Sequence, residues 1–134
     1  MIVVDANVMV VALTSPTNQG EAARAALTSD DLWFAPAHMP LEVIRTLRKA
    51  VVNGQLSEPD AVAALGALVS AEITYLGATN ALLQAVWGMR HNVSAYDAAY
   101  LAVAAERGAR LVTFDVRLAK AAEQVVPDVP VVIP

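Results

Sequence analysis

The sequence predicts an α/β fold in which a central, mostly parallel β-sheet is flanked by helices on both faces. Three observations predict it. Short apolar runs alternate along the chain with longer segments rich in helix formers, the signature of strands joined through helical crossovers. The short runs are apolar at nearly every position rather than at every second one, as in strands covered from both sides. Of 134 residues, 57% are hydrophobic and only 16% charged, enough to furnish one sizeable core. That length fits a single domain spanning residues 1–134, with no linker, internal repeat or low-complexity tract.

The elements follow in order. "IVVD" (residues 2–5) reads as the first strand, and a helix follows from Val8 to about Thr14. "SPTNQG" is a loop, and "EAARAALTS" from Glu21 is a second helix on its helix formers. "LWFAP", ended by Pro36, is the second strand. A longer helix from about Pro40 to Val52 is closed by Asn53-Gly54. Ser57 then offers a cap and Pro59 sits in the first turn of a fourth helix. "ITYLG" is the third strand, and Thr79 to Met89 is helical. Ser94 to Arg107 forms a helix stopped by Gly108. "ARLVTFD" is the fourth strand, "VRLAKAAEQ" a last helix, and "VPVVIP" a short final strand.

Several function classes are excluded or disfavoured. No apolar run reaches the roughly 18 residues that a membrane span needs. The start, "MIVVDANVMV", has no basic leader and carries Asp5 within its apolar run, so no signal peptide is expected and the cytoplasm is the expected compartment. The absence of cysteine rules out disulfides, thiolate catalysis and cysteine-type zinc sites. A net charge of −4 argues against a general polyanion binder, although a bound divalent ion would reverse the field locally. His38 and His91 lack the spacing of a metal-binding pair and are assigned structural or surface roles. Trp33 and Trp87 are read as core or interface packing.

Four of the thirteen acids fall at element junctions. Ligands in open α/β sheets bind outside the carboxyl ends of the strands. Asp5 ends the first strand, and Asp115 follows the fourth. Glu42 lies early in the helix after the second strand, and Asp97 in the first turn of the helix entering the fourth. Each has a plain alternative. Asp5 and Asp115 suit helix caps, with Asn7 a rival to Asp5. Ser94 to Asp97 fits a capping box, and Glu42 with Arg45 fits a surface pair. Capping does not explain why all four converge on one end of one sheet. Crowded carboxylates repel unless a cation compensates, and a hard divalent ion such as Mg²⁺ or Mn²⁺ takes carboxylate, water and phosphate oxygens together. That constellation points to metal-assisted phosphodiester hydrolysis.

"MIVVDANVMV", "PLEVIRTLRK" and "SAYDAAYLAVAAERGARLVTFDVRLAKAA", in this order and in a chain of this size, resemble a PIN domain, and more narrowly the VapC-type toxins of bacterial toxin–antitoxin pairs. The resemblance spans essentially the whole chain. It implies a PIN-like three-layer sandwich and a Mg²⁺- or Mn²⁺-dependent endoribonuclease whose four acids are Asp5, Glu42, Asp97 and Asp115. It makes Asp5 and Asp97 metal ligands, with Asp115 completing the metal site directly or through water, and gives Glu42 a metal-bound water to hold or orient. Asn7, where relatives often carry a small hydroxyl residue, and Thr113, beside the last acid, are second-tier polar candidates. The resemblance also implies a homodimer and a cognate antitoxin whose tail covers the site. The apolar stretch Val8–Leu13 and the Ala/Leu/Val face of residues 61–69 offer surface for such contacts or belong to the core. Arg45, Thr46 and Lys49, on the helical face of Glu42, and Arg117 and Lys120, after Asp115, are candidates for RNA phosphate contacts or solvated charges.

Rival readings are weaker. A haloacid-dehalogenase-like phosphotransferase wants a second Asp where Asn7 stands, and Lys120 is the only lysine in the C-terminal half. A receiver-like module lacks the adjacent acidic pair. A PIN nuclease of RNA processing, or a PIN-like module that binds RNA or protein without cutting, fits the same residues.

Overall fold

A computed structural model describes residues 1–134. Five strands form one sheet in the order β3-β2-β1-β4-β5, every neighbouring pair parallel. They are β1 (Ile2–Val4), β2 (Trp33–Pro36), β3 (Ile73–Leu76), β4 (Arg110–Val112) and β5 (Val131–Val132). Between them run α1 (Ala6–Thr14), α2 (Asn18–Thr28), α3 (Met39–Val52), α4 (Glu58–Ser70), α5 (Asn80–Gly88), α6 (Ala95–Arg107) and α7 (Val116–Val125). The expected central parallel sheet flanked by helices is thus observed.

The strand order decides the layers. From β1 the chain steps outward to β2 and β3, then returns across the sheet to β4 and β5 on the other side of β1. Right-handed crossovers place α1 to α4 on one face and α5 to α7 on the other. The packing agrees, since α1 contacts α2, α3 and α4, whereas α6 lies across β1, β2 and β4. The progression reverses between β1 and β4, and a reversal of this kind opens a crevice at the strands' carboxyl ends.

Burial explains the apolar runs. Ile2, Val3 and Val4 are wholly buried at the sheet centre, as are Leu101, Val103 and Ala104 of α6 above them. Small Ala side chains in α6 let the helix approach the strands closely. Gly108 closes α6 at φ +62°, a left-handed cap suited to glycine. Gly20 serves another purpose: a Cβ there would lie 2.0 Å from the Ser15 carbonyl oxygen, so only glycine lets α2 pack against the end of α1.

Three sequence expectations need correction. Helix α2 begins at Asn18, inside the stretch assigned to a loop, and α1 begins at Ala6 rather than Val8. The first turn of α2, Asn18-Gln19-Gly20, carries too few apolar residues to show helical periodicity, and α1 starts directly behind its Asp5 cap. Trp33 is half-buried and donates its indole N–H to the Leu27 and Asp30 carbonyls. Trp87, however, is 65% exposed on α5 with the Arg90 guanidinium over its ring, so it is not a core residue. The stretch Val8–Leu13 packs on the core, whereas Val62, Leu65 and Val69 of α4 stand in solvent. No helix is long and apolar enough to cross a membrane.

Candidate active site

The crevice between β1 and β4 carries the acids. A cleft of about 340 Å³ is lined by Asp5, Asn7, Glu42, Thr46, Asp97 and Asp115, with Ala6, Val10 and Val11 as its apolar wall. Four distant parts of the chain meet there because each acid sits at the end of an element that points to this edge. A larger groove of about 560 Å³ between α3 and α4 is almost wholly apolar and holds none of these residues.

Asp5 and Asp115 are indeed helix caps, but capping does not use them up. Asp5 Oδ1 accepts the Asn7 N–H at 3.4 Å, opening α1. Its Oδ2 accepts the Thr113 hydroxyl at 2.7 Å and the Asn7 side-chain amide at 3.2 Å. Asp115 Oδ1 accepts the Arg117 and Leu118 N–H groups, opening α7, while Oδ2 has no hydrogen-bond partner within the chain. Asn7 and Thr113 join the two strand ends. The Asn7 amide also donates to Thr113 Oγ1 at 3.3 Å, and its carbonyl accepts the Phe114 N–H at 3.1 Å. Thr113 Oγ1 in turn accepts the Asp115 N–H at 3.0 Å. Asn7 therefore does as an amide what a hydroxyl could do only in part, since it donates two hydrogen bonds and accepts a third, whereas a hydroxyl has a single proton to give.

Asp97 behaves differently. Its backbone N–H donates to the Ser94 hydroxyl at 3.3 Å, so Ser94 caps α6. The return arm of a capping box is not formed, and the Asp97 carboxylate has no hydrogen-bond or ion-pair partner within the chain. Glu42 forms no pair with Arg45. Instead its Oε1 accepts the Tyr100 hydroxyl at 2.8 Å. His38 Nε2 lies 3.0 Å from the same oxygen, but its N–H is not aimed at it, and the nitrogen is left buried and unpaired. Tyr100 is 1% exposed and also accepts the Ala6 N–H at 3.3 Å.

Electrostatics follow from this arrangement. Burial pushes the Asp5 carboxyl up from 3.8 to about 6; bonds from Thr113 and Asn7 oppose the shift, and the charges of Glu42 and Asp97 add to it. Burial likewise raises the Tyr100 hydroxyl well above its ordinary range, with Asp5 and Glu42 adding to the effect, so it stays protonated as a donor. No lysine or arginine side chain lines the cleft. Arg117 is 96% exposed and reaches Asp115 only at 4.0 Å, and Arg45, Lys49 and Lys120 are solvent-facing.

The donor set tests the fit of a divalent ion. Carboxylates with free oxygens, gathered around a raised acid and without a cation from the chain, suit a hard, oxygen-seeking ion. As they stand, no three His, Asp or Glu side chains are gathered closely enough to hold an ion. Sequence reasoning did not find Tyr100 and His38 as neighbours of the acids. Tyr100 lies 58 residues from Glu42 and reads as core, which it also is; His38, four residues before Glu42, was discoverable from helical spacing alone.

Comparison with known proteins identifies the family. The PIN domain family matches residues 2–124. Ribonuclease VapC1 of Mycobacterium tuberculosis is 37% identical over 119 residues, covering 89% of both chains. Ribonuclease VapC3 of the same species is 35% identical over 90% of this chain and 86% of its own. Among solved structures, Mycobacterium tuberculosis VapC20, described as a Sarcin-Ricin loop cleaving toxin, superposes with a TM-score of 0.67 at 21% identity, covering 90% of this chain and 95% of that one. A toxin-antitoxin complex from Klebsiella pneumoniae gives 0.66 at 20%, covering 100% and 98%. The two structures support the fold, and the sequence relatives carry the assignment: this chain belongs to the PIN domain family, among its VapC-type members.

Proposed function

We propose that residues 1–134 form a single endoribonuclease unit, the toxin of a toxin–antitoxin pair, which hydrolyses RNA phosphodiester bonds in the cytoplasm with Asp5, Glu42, Asp97 and Asp115. The observation that carries this reading is the cleft lined by four carboxylates with no lysine or arginine in its lining. Ribonuclease relatives at 35–37% identity support the substrate class.

Asp5, Asp97 and Asp115 would hold Mg²⁺ or Mn²⁺, Asp97 and Asp115 with carboxylate oxygens that no group of the chain occupies and Asp5 with oxygens held by Asn7 and Thr113. An ion held there would supply a more acidic water and offset charge on the phosphate. The chain's own residues supply position and proton transfer. The Thr113 and Asn7 bonds fix the Asp5 carboxylate at the end of β1. Tyr100 holds Glu42 by Oε1, and the other carboxylate oxygen of this cleft-lining acid would orient the attacking water and take its proton. The apolar wall of Val10 and Val11 limits water on one side. Arg45, Lys49 and Arg117, solvent-facing outside the cleft, would meet flanking phosphates.

A cognate antitoxin and a homodimer complete the reading. The first is supported by the likeness to VapC-type relatives, and both by the exposed apolar residues of α4 and α5. Expression of the wild type alone should arrest growth, expression of Asp97→Asn should not, and the product of the adjacent gene should restore growth and copurify. A harmless wild type whose purified form still cuts RNA would favour an RNA-processing nuclease.

A further inference from the structure

Two large aromatic side chains are strongly exposed, and they are not equivalent. Trp87 is 65% exposed, but the Arg90 guanidinium lies 4.6 Å over its ring. Tyr96 is 66% exposed with no such cover. It stands in the first turn of α6, one residue before Asp97, which lines the acidic cleft.

Its ring is nonetheless held in place. The Tyr96 and His38 rings are 5.1 Å apart at 63°, edge to face, and the His38 ring also meets Tyr100 at 5.4 Å and 78°. His38 also touches the Glu42 carboxylate through its Nε2. A continuous path therefore runs from the candidate water-orienting acid, through His38, to an exposed aromatic ring. Such a ring loses less freedom on binding than a mobile side chain does. It also offers what an acidic protein with a net charge of −4 lacks, a contact with RNA that does not depend on phosphate attraction.

We propose that Tyr96, backed by His38, is a nucleobase subsite that stacks one unpaired base of single-stranded RNA next to the bond to be cut. This rests on the ribonuclease reading above and adds a recognition element to it. Stacking on an aromatic face tolerates any base, so the subsite selects unpaired RNA over duplex rather than one base over another. His38 is a positioning residue that fixes the angle of the ring.

The test uses the full chain and a single-stranded oligoribonucleotide that the wild type cleaves. Tyr96→Ala should raise KM about tenfold or more, whereas Tyr96→Phe, which keeps the ring, should stay within about twofold of the wild type. The rise in melting temperature with Mn²⁺ should be the same in all three proteins. An abasic nucleotide beside the cut should weaken the wild type by the factor that Tyr96→Ala does and weaken Tyr96→Ala no further. Wild-type KM in Tyr96→Ala, additive losses with the abasic substrate, or equal impairment of Phe and Ala would each overturn the subsite. So would unchanged cleavage by Tyr96→Ala combined with loss of rescue by the adjacent gene's product, which would assign the ring to the partner. A wild type that cleaves no RNA would overturn the ribonuclease reading and the subsite with it.

Discussion

The two ends of the sheet treat acids in opposite ways. At the amino end, Asp30 receives the Met1 ammonium and lies 3.6 Å from the Arg110 guanidinium. The hydrogen bond from the ammonium and the Leu32 N–H hold its carboxyl below the usual range. At the carboxyl end, four acids share a cleft with no lysine or arginine in its lining, and burial holds Asp5 above that range. An acid that the chain neutralises serves the fold. Acids left without a cation store repulsion that an external cation can relieve, and that difference separates a structural cluster from a candidate site.

The largest expected effect is on catalysis. Asp5→Asn and Asp97→Asn should each reduce RNA cleavage on the order of a thousandfold or more while the protein remains folded by circular dichroism. Asp30→Asn should cleave as the wild type does and show only a lower melting temperature. Equal losses in Asp30→Asn and Asp97→Asn would erase the distinction between the two ends.

Next comes the pH dependence of the metal-free protein. Folded Asp5 binds its proton until about pH 6, whereas its ordinary value is 3.8. The native state therefore holds a proton that the unfolded chain has released. The contribution favours folding below about pH 4 and is lost as pH rises to about 6, by up to about 3 kcal/mol. Asp30 has the opposite sign: its stabilising contribution is present above its unfolded value and lost as pH falls through its lowered folded value. Denaturant titrations between pH 4 and 7 should show a decline that flattens in Asp5→Asn and persists in Asp30→Asn.

The smallest effect concerns the Glu42 clamp. Tyr100→Phe removes one hydroxyl from a buried ring and should lower kcat about tenfold, leaving KM and the metal response unchanged. In a Glu42→Ala background the same change should have no further effect. Independent losses in the double variant would show that Tyr100 acts through something other than Glu42.

How far the sequence anticipated this depended on whether a feature is local. Strands β1 and β4 and the acids beyond them were legible because an apolar run ending in Asp is a pattern within a few residues. The convergence of Asp5 and Asp115 followed from one rule about parallel sheets. The web through Asn7 and Thr113 was legible only as two polar candidates, since its bonds join positions 106 and 108 residues apart. The Glu42–Arg45 pair was a fair local reading that tertiary contact overrode, because Tyr100 presents a buried donor to the same carboxylate. The start of α2 was hidden by its polar first turn. The exposure of Trp87 was hidden because composition marks an aromatic residue as apolar without saying what covers it.

The central claim is that the acids at the carboxyl end of the sheet seek a divalent cation. Direct titration of Mn²⁺ binding, read from free Mn²⁺ by electron paramagnetic resonance, tests it most closely. Saturable binding by the wild type and Asp30→Asn, with strong loss in Asp5→Asn and Asp97→Asn, is the predicted result. No saturable binding by the wild type, or binding that survives intact in Asp97→Asn, would contradict it.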